Sequence, residues 1–194
     1  MYPKKYACEV EIFLVLCYTA NIINAVGENM KILVLSDSHS ALSFMRLLIR
    51  TVNPDAVIHL GDYYDDGVTM AEEFSHITFH QVCGNCDRYR CPPFAREFLA
   101  YPVCGVKLYM THGHIHGVKS SISRLLKDAR DFGVQAVLYG HTHVADCHRE
   151  ENGLWVLNPG SCGSFGGSAG LIETCGNEIA DCRILRQSDL EVMV

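Results

Sequence analysis

The chain lacks an excess of basic residues: 16 Lys and Arg stand against 22 Asp and Glu, a formal net charge of −6. That balance argues against stable nucleic-acid binding, which needs a basic face. It leaves room for a phosphate-bearing substrate, because bound cations reverse a local field. An apolar run long enough to cross a bilayer is also missing. The run from Ile12 to Leu16, behind Lys4, Lys5, Glu9 and Glu11, is short, and no small-x-small cleavage site follows it. No membrane association is therefore expected. There is no Asn-x-Ser/Thr acceptor, no internal repeat, no low-complexity tract and no second Cys-x-x-Cys beside Cys83 and Cys86. The ten cysteines are accordingly expected to be mostly reduced thiols in a cytoplasmic protein, not a disulfide framework or a zinc knuckle.

What is present is an alternating pattern that begins at Met30. Residues 31–36 (KILVLS) form a continuous apolar strand of the kind buried on both faces. Leu42, Met45, Leu48, Ile49 and Val52 then fall at helical spacing, and Pro54 ends the helix. A second strand runs over AVIHLGD, a short helix over Thr69 to Phe74, and a third strand over ITFHQVCGN. Two strands flank Cys104 and Gly105, a helix carries Ile122, Leu125, Leu126, Ala129 and Phe132, and VQAVLYG is again a strand. The remainder reads as β structure: LWVLN, AGLIETC, the Gly176-Asn177 turn and EIADCRIL. The expected fold is α/β, with two packed mixed β-sheets flanked by helices in a four-layer αββα sandwich. A length of 194 residues suits one domain. Residues 30–194 are expected to form it, with 1–29 a leader upstream of a functional start at Met30.

The polar residues gather where strands end. Asp37 and His39 follow the first strand, Gly61-Asp62 the second, Gly84-Asn85-Cys86-Asp87 the third, Thr111-His112-Gly113-His114 the next, and Gly140-His141-Thr142-His143 the last of the front half. In open α/β sheets such ends converge on one crevice. Carboxylate and amide oxygens with imidazole nitrogens suit Mn²⁺, Fe, Ni²⁺ or Zn²⁺, whereas a thiolate-rich set would indicate structural zinc. Seven donors exceed the needs of one ion, so two divalent ions sharing a carboxylate is the natural count. Any single Asp or His here could merely cap a strand; the ordered set points to a site.

In that order, SDSH, HLGD, GNCD, THGH, GHTH and NPGS resemble the motifs of the calcineurin-like metallophosphoesterase superfamily, and together its small YfcE-type phosphodiesterase branch. The resemblance runs from about Met30 to near the C-terminus. It implies that Asp37, His39 and His143 hold one metal, that Asn85, His112 and His141 hold a second, and that Asp62 bridges them. It implies a two-metal-ion phosphodiesterase, with Mn²⁺ the expected metal, in which a hydroxide between the ions attacks phosphorus in line with the leaving group. The sequence departs from the family at Cys86, where many members carry a histidine that assists the leaving group. A thiol is a poorer proton donor to an alkoxide, so a small phosphodiester is the expected substrate. His114 is the candidate substitute, facing substrate beside Asp62 and Asn85. The alternatives are a phosphomonoesterase of the same fold, or a scaffold like the retromer subunit that shares it. Relatives of this type often self-associate, so a homo-oligomer is a candidate state, though nothing local in the sequence argues for it. Asp87 reads as an acceptor for a ligand histidine or as a turn residue, with the first preferred, Arg88 as a solvated surface residue, and His59, His76, His80, His116 and His148 as off-motif.

Overall fold

The structure, a computed structural model, describes residues 28–89, 91–164 and 166–190. All but the last two residues of the expected leader lie outside that set. The N-terminal strand shows how the layers arise. Strand β1 (Asn29–Leu35) sends Ile32 and Val34 to one face and Leu33 and Leu35 to the other, and all four are fully buried. Alternate residues of a strand point to opposite faces, so a strand apolar at every position must be covered twice. Ile32 and Val34 meet Leu108, Met110, Leu138 and Leu157 of a second sheet. Leu33 and Leu35 pack instead with Met45, Leu48, Ile49 and Val52 of helix α1 (Leu42–Val52). Each such side chain contributes about 1.5–3 kcal/mol on burial.

The first sheet is completed by β2 (Ala56–His59), β3 (Thr78–Gln81), β9 (Ser168–Cys175) and β10 (Glu178–Arg186), in the order β10-β9-β1-β2-β3. The β1, β2 and β3 strands are parallel, and β9 and β10 add antiparallel. Helix α2 (Tyr64–Glu73) makes the β2-to-β3 crossover. The second sheet holds β4 (Phe98–Val103), β5 (Val106–Thr111), β6 (Ala136–Leu138), β7 (Asp146–Arg149) and β8 (Trp155–Asn158), in the order β4-β5-β6-β8-β7. Its outer face is covered by α3 (Ser123–Phe132), whose Leu125 and Ala129 pack on Tyr109, Val137 and Val156. A short α4 (Gln187–Leu190) follows β10. This is the expected αββα sandwich of two mixed five-stranded sheets. Among the described residues no helix is long and apolar enough to cross a membrane.

Three local expectations need correction. The helix expected over Thr69 to Phe74 begins five residues earlier, at Tyr64. Gly67 interrupts its apolar pattern, and its start is set by acidic residues and a distant cap rather than by hydrophobic spacing. Strand β7 was not anticipated, because DCHR at the sheet edge is only half-buried and carries no apolar run. Finally, the mostly reduced cysteines have one exception, since Cys83 is joined to Cys91 in a disulfide. The turn Asn85–Asp87 brings the chain back, with Cys91 N–H bonded to Asp87 O (2.9 Å). Cys86 and five other described cysteines are free thiols.

Candidate metal centre

The parallel strands β1, β2 and β3 of one sheet and β5 and β6 of the other all deliver their C-terminal ends to one side. The backbone there is forced into an unusual shape. Asp37, His39, Asp62, His141 and His143 all adopt left-handed backbone, with φ of 51°, 43°, 56°, 68° and 60°. For a non-glycine residue that costs about 1–2 kcal/mol, and it persists only where the surroundings over-determine it. For Asp37 they do. Its N–H donates to Gly61 O (3.0 Å), and its carbonyl accepts from Gly163 N–H (3.2 Å) and Ser161 Oγ (2.8 Å).

Gly61 and Gly84 explain how Asp62 and Asn85 come together. Gly61 has φ +95°, and a Cβ built there would lie 2.4 Å from the backbone nitrogen of Gly84. The exits of β2 and β3 therefore cross at backbone contact. Gly61→Ala is expected to cost about 3–5 kcal/mol, from the clash together with the left-handed backbone. Urea denaturation of the variant measures this, and a loss below about 1 kcal/mol would contradict so close a crossing.

The carboxylate of Asp87 ties the same crossing together. Its Oδ1 accepts from the N–H groups of Tyr63 (2.7 Å) and Tyr64 (2.9 Å), and its Oδ2 from those of Asp62 (2.9 Å) and Gly84 (2.8 Å). The expected contact with a ligand histidine is thus replaced. Asp87 is fully buried, holds the backbone of the Asp62 loop, and supplies the acceptor that opens α2. Asp66, which no motif singled out, does the same for the first loop. Its Oδ2 accepts from Ser38 Oγ (2.7 Å) and Ser40 N–H (2.8 Å), anchoring the turn that bears His39. Asn158 steadies the loop of His141 and His143, donating from Nδ2 to Thr142 Oγ1 (2.8 Å).

The side chains meet as follows. Asp37 Oδ2 accepts from Ser36 Oγ (2.6 Å) and His141 N–H (3.1 Å), which leaves Oδ1 facing His143 Nε2 at 3.0 Å and His112 Nε2 at 4.0 Å. One donor atom from each of Asp37, His39, Asp62 and His143 lies within 4.8 Å of all the others. His112 is fully buried, and its Nδ1 donates to Leu60 O (2.9 Å). That tautomer leaves the lone pair on Nε2, which faces Asn85 Oδ1 at 3.1 Å and Asp62 Oδ1 at 3.5 Å. The rings of His112 and His141 are 5.0 Å apart. His114 flanks this second group, its ring 5.4 Å from that of His112 and 6.2 Å from that of His141, with Nε2 3.6 Å from Glu97. Arg88 is exposed and lies over the Tyr89 ring.

Burial alone would raise the Asp62 carboxyl, but the facing His112 ring and the Cys86 N–H (2.8 Å) outweigh it and hold the group below its usual range. Burial, reinforced by His112, pushes His141 down to about 4, so its imidazole is neutral near pH 7. Burial and the neighbouring Asp62 carboxylate push the Cys86 thiol up to about 11, so it remains a neutral thiol there. His39 Nε2 is buried with no hydrogen-bond partner. Unprotonated imidazole nitrogens and carboxylate oxygens turned toward one another are chemistry that a divalent cation satisfies, so the donor set fits one. A cleft of about 350 Å³ lies elsewhere, among Arg130, Gln135, Arg149 and Trp155 at the opposite strand ends.

With this geometry in view, the similarity to known proteins is specific. The calcineurin-like phosphoesterase superfamily domain matches residues 30–175. A probable metallophosphoesterase, YsnB of Bacillus subtilis strain 168, is 30% identical over 137 residues, 68% of this chain and 75% of that protein. Among solved structures, Yfce, a phosphoesterase from E. coli, superposes with a TM-score of 0.55 at 21% identity, covering 79% of this chain and 98% of its own. Wild-type Vps29 of Entamoeba histolytica, complexed with Zn²⁺, gives a TM-score of 0.58 at 20% identity, covering 81% and 98%. At those identities the two structures show the fold alone.

Proposed function

This chain belongs to the calcineurin-like phosphoesterase superfamily, and on that premise we propose that it is a two-metal-ion phosphodiesterase acting on a small substrate. The observation that carries the reading is the meeting of Asp37, His39, Asp62 and His143 in one cluster, with His112 presenting its free Nε2 to Asn85 and Asp62 alongside. Asp37, His39 and His143 would hold one ion and Asn85, His112 and His141 the other, with Asp62 shared. Divalent cations so held lower the pKa of bound water and neutralise phosphate charge. The oxygen and nitrogen donors make Mn²⁺ the proposed metal, with Ni²⁺, Fe or Zn²⁺ as alternatives.

The protein's own residues divide the remaining work. Asp87 and Asp66 fix the loops that carry the donors. His114, beside the second group, is placed to donate a hydrogen bond to substrate oxygens. Cys86, exposed at the rim, carries no charge to offer a leaving group, which favours diesters whose leaving group departs without much protonation. The scaffold alternative draws no support from the donor set, since every position of it keeps a donor. The reading includes a single domain over residues 30–194 behind a leader, a cytoplasmic location, no stable nucleic-acid or membrane binding, and a homo-oligomer.

The test is hydrolysis of bis(p-nitrophenyl) phosphate against p-nitrophenyl phosphate by metal-stripped protein with Mn²⁺ restored. Turnover that needs the metal and favours the diester is expected; a monoester preference overturns the diester assignment, and no turnover overturns the enzyme. Cys86→His supplies the missing proton donor. It is expected to raise monoester turnover relative to diester by about tenfold or more, and an unchanged ratio would show that Cys86 does not set the preference.

A further inference from the structure

Cys147 and Cys182 sit on strands that end the two sheets along one side of the sandwich, β7 in one and β10 in the other. Each is committed to its own sheet: Cys147 pairs with Leu157 of β8, and Cys182 with Ile172 of β9. Across the gap between the sheets the two sulfurs stand 3.4 Å apart, and the Cys147 thiol also reaches the carbonyl oxygen of Cys182 (3.2 Å). We propose that Cys147 and Cys182 are a reversible dithiol–disulfide pair that, on oxidation by a peroxide, fastens the two sheets together along this edge.

The required movement is small, since a disulfide holds its sulfurs at about 2.05 Å and the thiols need approach by only about 1.4 Å. The two residues differ in the way such a reaction requires. Cys147 is partly exposed, and its thiol is lowered because Cys182 can turn a hydrogen bond onto the sulfur. Cys182 is buried, and the hydrogen bond to Cys147 together with burial raises it. Cys147 is therefore the more accessible and more readily ionised thiol, and Cys182 the resolving thiol behind it. In the first step the Cys147 thiolate attacks a peroxide oxygen; the O–O bond breaks, giving the Cys147 sulfenic acid and hydroxide. The Cys182 sulfur then attacks Cys147, its proton leaves with the sulfenic hydroxyl as water, and the S–S bond forms. Two thiols lose two electrons, and one hydrogen peroxide becomes two waters.

The bond would link positions 35 residues apart in sequence. It would also tether β7, which starts three residues after His143, to a strand of the other sheet. The proposal does not rest on the phosphoesterase reading, because its test reads thiols and melting rather than turnover. The intact protein is treated with hydrogen peroxide, blocked with an alkylating agent, digested without reductant and mapped by mass spectrometry. A Cys147–Cys182 linked peptide, distinct from Cys83–Cys91, is expected. It should come with a rise in melting temperature on the order of 5–10 °C that dithiothreitol reverses. Exposed Cys175 is the internal control for oxidant dose. The proposal is overturned if Cys175 is oxidised while Cys147 and Cys182 remain alkylatable, or if the reversible rise persists in Cys182→Ser. Should that variant fold poorly, the peptide map of the unaltered protein decides alone.

Discussion

Asp62→Asn is expected to lower the proposed Mn²⁺-dependent diester hydrolysis by about a thousandfold while leaving the fold almost as stable as before. The two halves of that expectation have separate causes. The side chain is nearly buried, with its Oδ1 2.8 Å from the Cys86 N–H and 3.5 Å from His112 Nε2. An asparagine oxygen can accept the same N–H, so the local structure survives. What disappears is the negative charge, which the proposed reading shares between both donor groups. Because the folded protein holds this carboxyl below its usual range, the charged form adds stability above the unfolded pKa and loses it as pH falls through the folded one. The substitution forfeits only that contribution. The checks are kcat with saturating Mn²⁺ and a thermal melt. Activity within threefold of the unaltered protein would remove Asp62 from the centre.

Asp87→Asn has the opposite profile, a large loss of stability from an almost isosteric change. Both carboxylate oxygens of Asp87 are acceptors, two backbone N–H groups on each. An amide can serve one pair with its oxygen but must set its own N–H₂ against the other pair. Either the N–H groups of Tyr63 and Tyr64 or those of Asp62 and Gly84 are then opposed by a donor in a site with no solvent access. An unsatisfied buried donor costs about 1–3 kcal/mol, so a loss of about 3–5 kcal/mol is expected, with metal binding weakened because the Asp62 loop loosens. Urea denaturation at neutral pH measures the first and Mn²⁺ titration the second. A loss under 1 kcal/mol would mean that the loop is held by other contacts.

Much of this was legible before any coordinates, and the reasons are physical. β1 could be read because burial on both faces demands an apolar residue at every position, and Ile32, Leu33, Val34 and Leu35 supply them. The polar residues that the structure brings together could be picked out because Asp, Asn and His recur beside glycine at successive strand ends. The αββα architecture followed from the switch between alternating β and α segments and an all-β tail. What escaped was whatever acts through backbone geometry rather than side-chain pattern. Asp87 accepts from four main-chain N–H groups, three of them more than 20 residues away, and no local spacing announces that. Asp66 was hidden in the same way, within a helix whose Gly67 broke the periodicity. Strand β7 is polar because it lies at a sheet edge. The Cys83–Cys91 bond escaped because it depends on the turn Asn85–Asp87 bringing the chain back, which no cysteine spacing announces.

The left-handed backbone at five of the seven proposed donors adds a point that sequence patterns do not carry. Strain of this kind gathers where function, rather than folding, selects the conformation. Five of the nine described non-glycine residues with such backbone are proposed donors.

Crystals grown with Mn²⁺ and measured for manganese anomalous scattering test the central claim most directly. The account predicts two peaks in each chain. One would lie beside Asp37, His39 and His143, the other beside Asn85, His112 and His141, with the Asp62 carboxylate reaching both. A single peak, or none at full Mn²⁺ occupancy of the solution, would contradict a two-ion centre.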